Sequence, residues 1–88
     1  ILDLPEADFL AVMSAAKKIA QAADKALKPD GINILQLNGE AANQVVPHLH
    51  VHIVPRWEGD GLKVSKWEPV PGDMDQIGQT AEKIKNVL

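Results

Sequence analysis

The chain has 88 residues, of which 45% are hydrophobic and 24% charged, and its formal net charge is −3. This is the composition of one small globular domain; no stretch reaches the roughly 20 apolar residues that cross a bilayer, and no basic cluster suggests duplex nucleic acid as a partner. The absence of cysteine excludes a disulfide framework and a thiolate metal site, which favours a cytoplasmic protein.

Apolar periodicity predicts two helices and two strands. They are, in chain order, a helix at 4–27, a strand at 32–37, a strand at 45–54 and a helix at 74–87. Asp3 with Glu6, and Asp73 with Gln76, have the spacing of capping boxes at the two helix starts. Pro55 is expected to end the second strand.

These elements predict an α+β fold in which the first helix packs on an antiparallel sheet. Because two strands alone leave both sheet edges unpaired, further strands are expected from a second copy of the chain or from a missing part of the domain. The first residue is Ile1 rather than Met. We therefore expect residues 1–88 to be the C-terminal portion of a domain that is incomplete at its N-terminus.

All the histidines of the chain, His48, His50 and His52, occupy alternate positions in the second predicted strand. Side chains alternate between the two faces of a strand, so the imidazoles are expected on one face. Imidazole titrates near neutral pH, and packing alone does not account for such a row. This strand is therefore the predicted site of chemistry.

Three interpretations of the histidine row are open. The first is a zinc site, although the row spans about 13 Å at its Cα atoms and the chain offers no cysteine as a further ligand. The second is a set of polar side chains that hydrogen bonds satisfy within the sheet. The third is catalysis on phosphorus, because neutral imidazole is a good nucleophile and no Ser or Thr is paired with the row.

The polar loop 38–44 lies immediately before the histidines and suits an anionic substrate. Its small residues let backbone N–H groups approach an anion, and Asn38 and Gln44 carry amide donors. Arg56 follows the strand and is either a cation for the substrate or an ordinary exposed side chain.

At these residues the sequence resembles the histidine triad (HIT) superfamily, whose signature is His-φ-His-φ-His-φ-φ with φ apolar. The signature stands here as His48-Leu49-His50-Val51-His52-Ile53-Val54. Asn38-Gly39 and Gln44 resemble the substrate loop of the family. Pro55-Arg56 followed by Gly59-Asp60-Gly61 resembles bacterial members close to the fragile-histidine-triad branch.

The resemblance implies a HIT-like fold and a nucleotide hydrolase or transferase that acts at an α-phosphate, as a nucleoside phosphoramidase or a dinucleoside polyphosphate hydrolase. His50 would attack phosphorus and form a covalent nucleotidyl-histidine, with its tautomer fixed by a neighbouring backbone carbonyl. His52 would lie near the phosphate and leaving group, and His48 would support the hydrogen-bond network. The alternative is a catalytically weak nucleotide-binding regulatory module.

The resemblance also implies the binding groups and partners. Asn38, Gln44 and the backbone N–H groups of Val45 and Val46 would hold the phosphate oxygens of a nucleotide, with a purine expected. No metal is required, Mg²⁺ is compatible with a polyphosphate substrate, and Zn²⁺ stays open as the rival interpretation of the histidines. A homodimer is expected. Asn43 departs from the family, since many relatives have glycine there, and nothing in the chain corresponds to the N-terminal half of family members.

Overall fold

The computed structural model describes residues 1–44, 48–62 and 72–88. Its elements are α1 (Glu6–Leu27), β1 (Gly31–Leu35), a 3-10 turn (Glu40–Ala42), β2 (His52–Arg56) and α2 (Met74–Lys85). The strands pair antiparallel, and α1 contacts both β2 and α2. This is the α+β arrangement that the sequence predicts. Neither of the two described helices is long and apolar enough to cross a bilayer.

The helix α1 starts without the predicted capping box. Pro5 is the N-cap residue, no side chain bonds to the first turn, and the N–H of Phe9 donates to the Pro5 carbonyl at 3.0 Å. Proline is compatible with a helix start because it has no N–H to satisfy. The pairing of Asp3 with Glu6 is therefore wrong, since the helix begins at Glu6 itself.

Small side chains form the buried face of α1. The buried apolar residues in the described ranges are Ala16, Ala20, Ala22 and Ala23. Alanine favours the helix and lets a neighbouring element approach its backbone closely. At the other end of the domain, Asp73 is the N-cap of α2 and its carboxylate accepts from the N–H groups of Asp75 and Gln76, as its predicted capping role requires.

The strand β2 differs from the predicted strand at both ends. It runs through Pro55, which pairs with Ile32, so the expectation that Pro55 ends the strand is wrong. Proline is tolerated in a strand when its nitrogen faces an edge, and each strand of a two-stranded sheet has such an edge.

The residue at which β2 starts depends on its pairing with β1. The ladder ends at the pair Leu35↔His52, because the chain leaves β1 there for the loop that follows. Residues 48–51 precede the strand and are not part of it, which corrects the predicted strand at 45–54; residues 45–47 lie outside the described ranges. His48 and His50 therefore lie in irregular backbone before the strand. The alternation of side chains along a strand does not determine which way their imidazoles point.

Candidate active site at the histidine triad

Hydrogen bonds to Gly39 hold the loop 38–44, which precedes the histidines, in a compact turn. The Gly39 carbonyl accepts from the backbone N–H groups of Ala42 and Gln44, each at 3.1 Å. Gly39 itself has a φ of 87°, which glycine adopts without the strain that a Cβ would cause. Its N–H donates to Oε1 of Gln44 at 2.6 Å. The main chain and the side chain of Gln44 are thus both bound to one residue.

A backbone carbonyl connects this loop to the predicted nucleophile. Nε2 of Gln44 donates to the His48 carbonyl oxygen at 3.4 Å, and Nδ1 of His50 lies 3.1 Å from the same oxygen. A carbonyl oxygen has two lone pairs and can accept both bonds. When Nδ1 of His50 carries the proton and donates it here, Nε2 keeps its lone pair, which is the tautomer that a nucleophilic imidazole needs.

The three imidazoles form a cluster in which His50 lies between the other two. The ring centroids of His50 and His52 are 4.7 Å apart with an interplanar angle of 80°, whereas those of His48 and His50 are 6.4 Å apart at 58°. His50 and His52 are half-buried, and His48 is exposed. The structure therefore brings His52 closest to the predicted nucleophile.

The other predicted binding residues lie in different places. Asn38 forms a two-way amide pair with Gln36, since Nδ2 donates to the Gln36 carboxamide oxygen at 2.7 Å and Oδ1 accepts in return at 3.0 Å. Asn38 is thus at the start of the loop, and Gln44 at its end carries the contact to the histidines. Val45 and Val46 lie outside the described residues.

Arg56 organises the turn after β2. Its Nε and Nη2 donate to the two carboxylate oxygens of Asp60 at 2.8 and 3.0 Å, and Nη1 donates to Oδ1 of Asn33 at 2.8 Å. The backbone N–H groups of Trp57 and Leu62 also donate to Asp60. The Arg56 guanidinium, with these N–H groups, holds the pKa of Asp60 well below its usual range. These contacts support neither a substrate-binding cation nor an ordinary exposed side chain. Arg56 instead acts as a structural clamp that joins Asp60 of the turn to Asn33 of β1.

We expect Asp60→Asn to loosen this turn. The pKa of Asp60 is lower in the folded protein than its usual value of 3.8. The ionised carboxylate therefore stabilises the folded turn fully above that usual pKa, and this stabilisation is lost as the pH falls through the folded pKa. At neutral pH, hydrogen exchange of the Trp57 and Leu62 amides should be about two- to fivefold faster in the variant, a range that fits a solvent-screened ion pair.

The matched control for this experiment is Glu58→Gln, which removes a carboxylate from the same turn without touching the Arg56–Asp60 pair. Its exchange rates should equal those of the wild type. Unchanged exchange in Asp60→Asn would show that the backbone of the turn holds its shape without the ion pair.

Two contributors to the site were not singled out from the sequence. One is the backbone carbonyl of His48: the family resemblance implies a neighbouring carbonyl, but no residue pattern reveals which one, because every residue has a carbonyl. The other is the N–H of Gly39, which orients Gln44. The glycine in Asn38-Gly39 could have indicated this contact, because a glycine at the start of a loop often marks a backbone position with positive φ.

A zinc site stays the rival interpretation of the histidines. Within residues 1–44, 48–62 and 72–88, no group of three or more His, Asp or Glu side chains is arranged to hold a metal ion. The contact between Nδ1 of His50 and the His48 carbonyl leaves Nε2 as the ring nitrogen of His50 with a lone pair.

Residues 1–59 of the chain match the family described as HIT domain. The chain belongs to the HIT family. The adenosine 5'-monophosphoramidase of Saccharomyces cerevisiae is 37% identical over 83 residues, which cover 93% of this chain and 49% of that protein. The adenylylsulfatase of Arabidopsis thaliana is 41% identical over 64 residues, which cover 73% of this chain and 32% of that protein. The chain spans about half the length of the curated relatives that it matches.

Solved structures show the same fold. A HIT-like protein involved in cell-cycle regulation from Bartonella henselae, solved with an unknown ligand, has a TM-score of 0.87 at 36% identity and covers this chain completely, while 62% of that protein is matched. A zinc-bound histidine triad family protein from Mycobacterium smegmatis has a TM-score of 0.73 at 32% identity, with 98% of this chain and 60% of that protein covered. These matches confirm the HIT-like fold. The assignment to the fragile-histidine-triad branch stays a prediction.

Proposed function

We propose that the protein containing this HIT chain is a nucleotide hydrolase or transferase that acts at an α-phosphate through a covalent nucleotidyl-His50. The 3.1 Å contact between Nδ1 of His50 and the His48 carbonyl carries this proposal, because it leaves Nε2 of His50 with a lone pair. The relatives named adenosine 5'-monophosphoramidase and adenylylsulfatase support the coarser part of the proposal, a nucleotide hydrolase.

The reaction has two displacements at one phosphorus atom. In the first, Nε2 of His50 attacks the α-phosphorus, an N–P bond forms, and the bond to the leaving group breaks. In the second, water attacks the same phosphorus, the N–P bond breaks, and the nucleoside monophosphate is released. Forming a covalent intermediate divides one difficult step into two easier ones. The substituted imidazole carries a positive charge, which the partial negative charge of the His48 carbonyl oxygen stabilises.

His52 is the proposed proton donor to the leaving group. An amine or alkoxide that departs from phosphorus needs a proton, and imidazolium is the side chain best suited to supply one near neutral pH. The ring of His52 is 4.7 Å from that of His50 between centroids, so one substrate can contact both. In the second displacement the neutral His52 takes the proton of the attacking water, which restores the starting state.

The loop 38–44 is the proposed phosphate-binding segment, with Asn38, Gln44 and the N–H groups of Val45 and Val46 as donors. Nε2 of Gln44 has two protons, and its bond to the His48 carbonyl uses one. The second can therefore serve a phosphate oxygen. The proposal also includes a purine nucleotide as substrate, a homodimer and a cytoplasmic location, with Mg²⁺ only as a companion of a polyphosphate.

We expect the full-length protein to convert adenosine 5'-phosphoramidate into adenosine monophosphate and ammonia. Turnover should persist after dialysis against a chelator, because imidazoles carry out each proposed step. Chromatography of the nucleotide products, with and without the chelator, measures both expectations.

Two outcomes would contradict the proposal. Nucleotide binding without turnover, across several phosphoramidates and dinucleoside polyphosphates, would identify a regulatory binding module. Activity that the chelator removes and zinc restores would show that a metal takes part in the chemistry.

A further inference from the structure

We propose that Gln44 is a positioning residue that acts on the nucleophile through the His48 carbonyl. It holds this carbonyl in the direction that keeps the proton of His50 on Nδ1. This inference rests on the proposed function, in which Nε2 of His50 attacks phosphorus. It gives Gln44 a role that differs from the phosphate contact that the family resemblance implies.

The His48 carbonyl needs an orienting contact because the sheet does not supply one. The described ladder between β1 and β2 begins at the pair Leu35↔His52, and His48 lies in a bend four residues earlier. A carbonyl within a ladder points at its partner strand, whereas a carbonyl in an exposed bend can rotate toward solvent. His48 is exposed, so neighbouring side chains do not prevent this rotation by packing.

Gln44 is itself held in place before it reaches His48. Its Oε1 accepts from the Gly39 N–H at 2.6 Å, and its own backbone N–H donates to the Gly39 carbonyl at 3.1 Å. A carboxamide is planar, so a fixed Oε1 and a fixed backbone restrict the position of Nε2 as well. The side chain is therefore a short brace between Gly39 and the His48 carbonyl.

The contact of Gln44 with the His48 carbonyl is weak, and its proposed effect is to orient that carbonyl. The contact from Nε2 of Gln44 to the His48 oxygen, at 3.4 Å, is near the long limit of a hydrogen bond. Its proposed effect is to occupy one lone pair of that oxygen and leave the other to His50. Without it, the alignment of the bond to Nδ1 is lost, and the fraction of His50 in the nucleophilic tautomer falls. A neutral hydrogen bond can bias such an equilibrium by up to about tenfold.

The test uses Gln44→Ala and Gln44→Glu in the full-length protein. Gln44→Ala removes the brace; Gln44→Glu keeps its length and its bond to Gly39 but replaces the donating NH₂ by oxygen. Long-range ¹H–¹⁵N correlations at about pH 8, where imidazole is neutral, report the tautomer of His50 without any substrate. We expect the Nδ1-protonated form to predominate in the wild type and to lose its predominance in both variants.

Kinetics give a second measurement. With adenosine 5'-phosphoramidate, both variants should lower kcat by about three- to tenfold. A rise in KM alongside this loss reports the separate phosphate contact that the proposed function gives Gln44. Gln21→Ala, on the exposed surface of α1, is the matched control and should resemble the wild type in tautomer and rate.

An unchanged His50 tautomer in both variants would overturn the inference. A raised KM with unchanged kcat would overturn it too, and would leave Gln44 with its phosphate contact alone. The tautomer measurement needs no turnover. A wild-type protein that fails to hydrolyse phosphoramidates therefore contradicts the proposed function, while the spectra still decide whether Gln44 positions His50.

Discussion

His50→Ala should lower kcat for adenosine 5'-phosphoramidate by about 10³-fold or more, because it removes the atom that attacks phosphorus. Nucleotide affinity should stay within a few-fold of the wild type, since the proposed phosphate donors lie in the segment 38–46 and not on His50. Intact mass spectrometry of rapidly quenched reactions should detect a nucleotidyl adduct in the wild type and none in the variant. Calorimetric titration with adenosine monophosphate measures the retained binding.

His50→Asn is the informative companion to this variant. Its side-chain amide can still donate to the His48 carbonyl, so it keeps the local hydrogen bond that the imidazole makes at 3.1 Å while it removes the nucleophile. It should be as inactive as His50→Ala, with the loop better preserved. Full activity or an adduct in either variant would show that another group attacks phosphorus.

The second large effect is expected for His52→Gln. This change removes the proposed proton donor, and general acid catalysis contributes typically about 10²- to 10⁴-fold. The loss should be large for a phosphoramidate or an alkyl ester, whose leaving group needs a proton. It should be much smaller for the p-nitrophenyl ester of adenosine monophosphate, whose leaving group departs as an anion.

His48→Gln provides the comparison for this experiment. The substitution keeps the backbone carbonyl that His50 contacts, and its effect should be modest and similar for both substrates. The ratio of kcat values for the two leaving groups is therefore the decisive quantity. An equal loss for both substrates in His52→Gln would remove His52 from the role of acid and leave it as a binding residue.

The residue types and their spacing were sufficient to predict the family and the two described helices. Apolar residues at helical spacing depend only on local geometry, and α1 and α2 lie within the predicted segments. The motif from His48 to Val54 identified the family because so few sequences place imidazoles at that spacing. The ends of the strands were predicted less accurately. The strand β2 starts at His52 because His52 pairs with Leu35, the last residue of β1, and the sequence around His52 does not reveal this pairing partner.

The roles of individual polar groups depend on contacts between segments that are distant in the chain. Arg56 donates to Asn33 across 23 positions, which turns a candidate substrate cation into a clamp. Alternation along a strand predicted three imidazoles in a row, whereas the structure places His50 before the strand, beside a carbonyl that Gln44 also contacts. A hydrogen bond requires a particular distance and direction, and these follow from the path of the backbone rather than from the order of the residues. The histidine spacing therefore predicted a candidate site, and only the folded loop shows the hydrogen bonds that distinguish its three imidazoles.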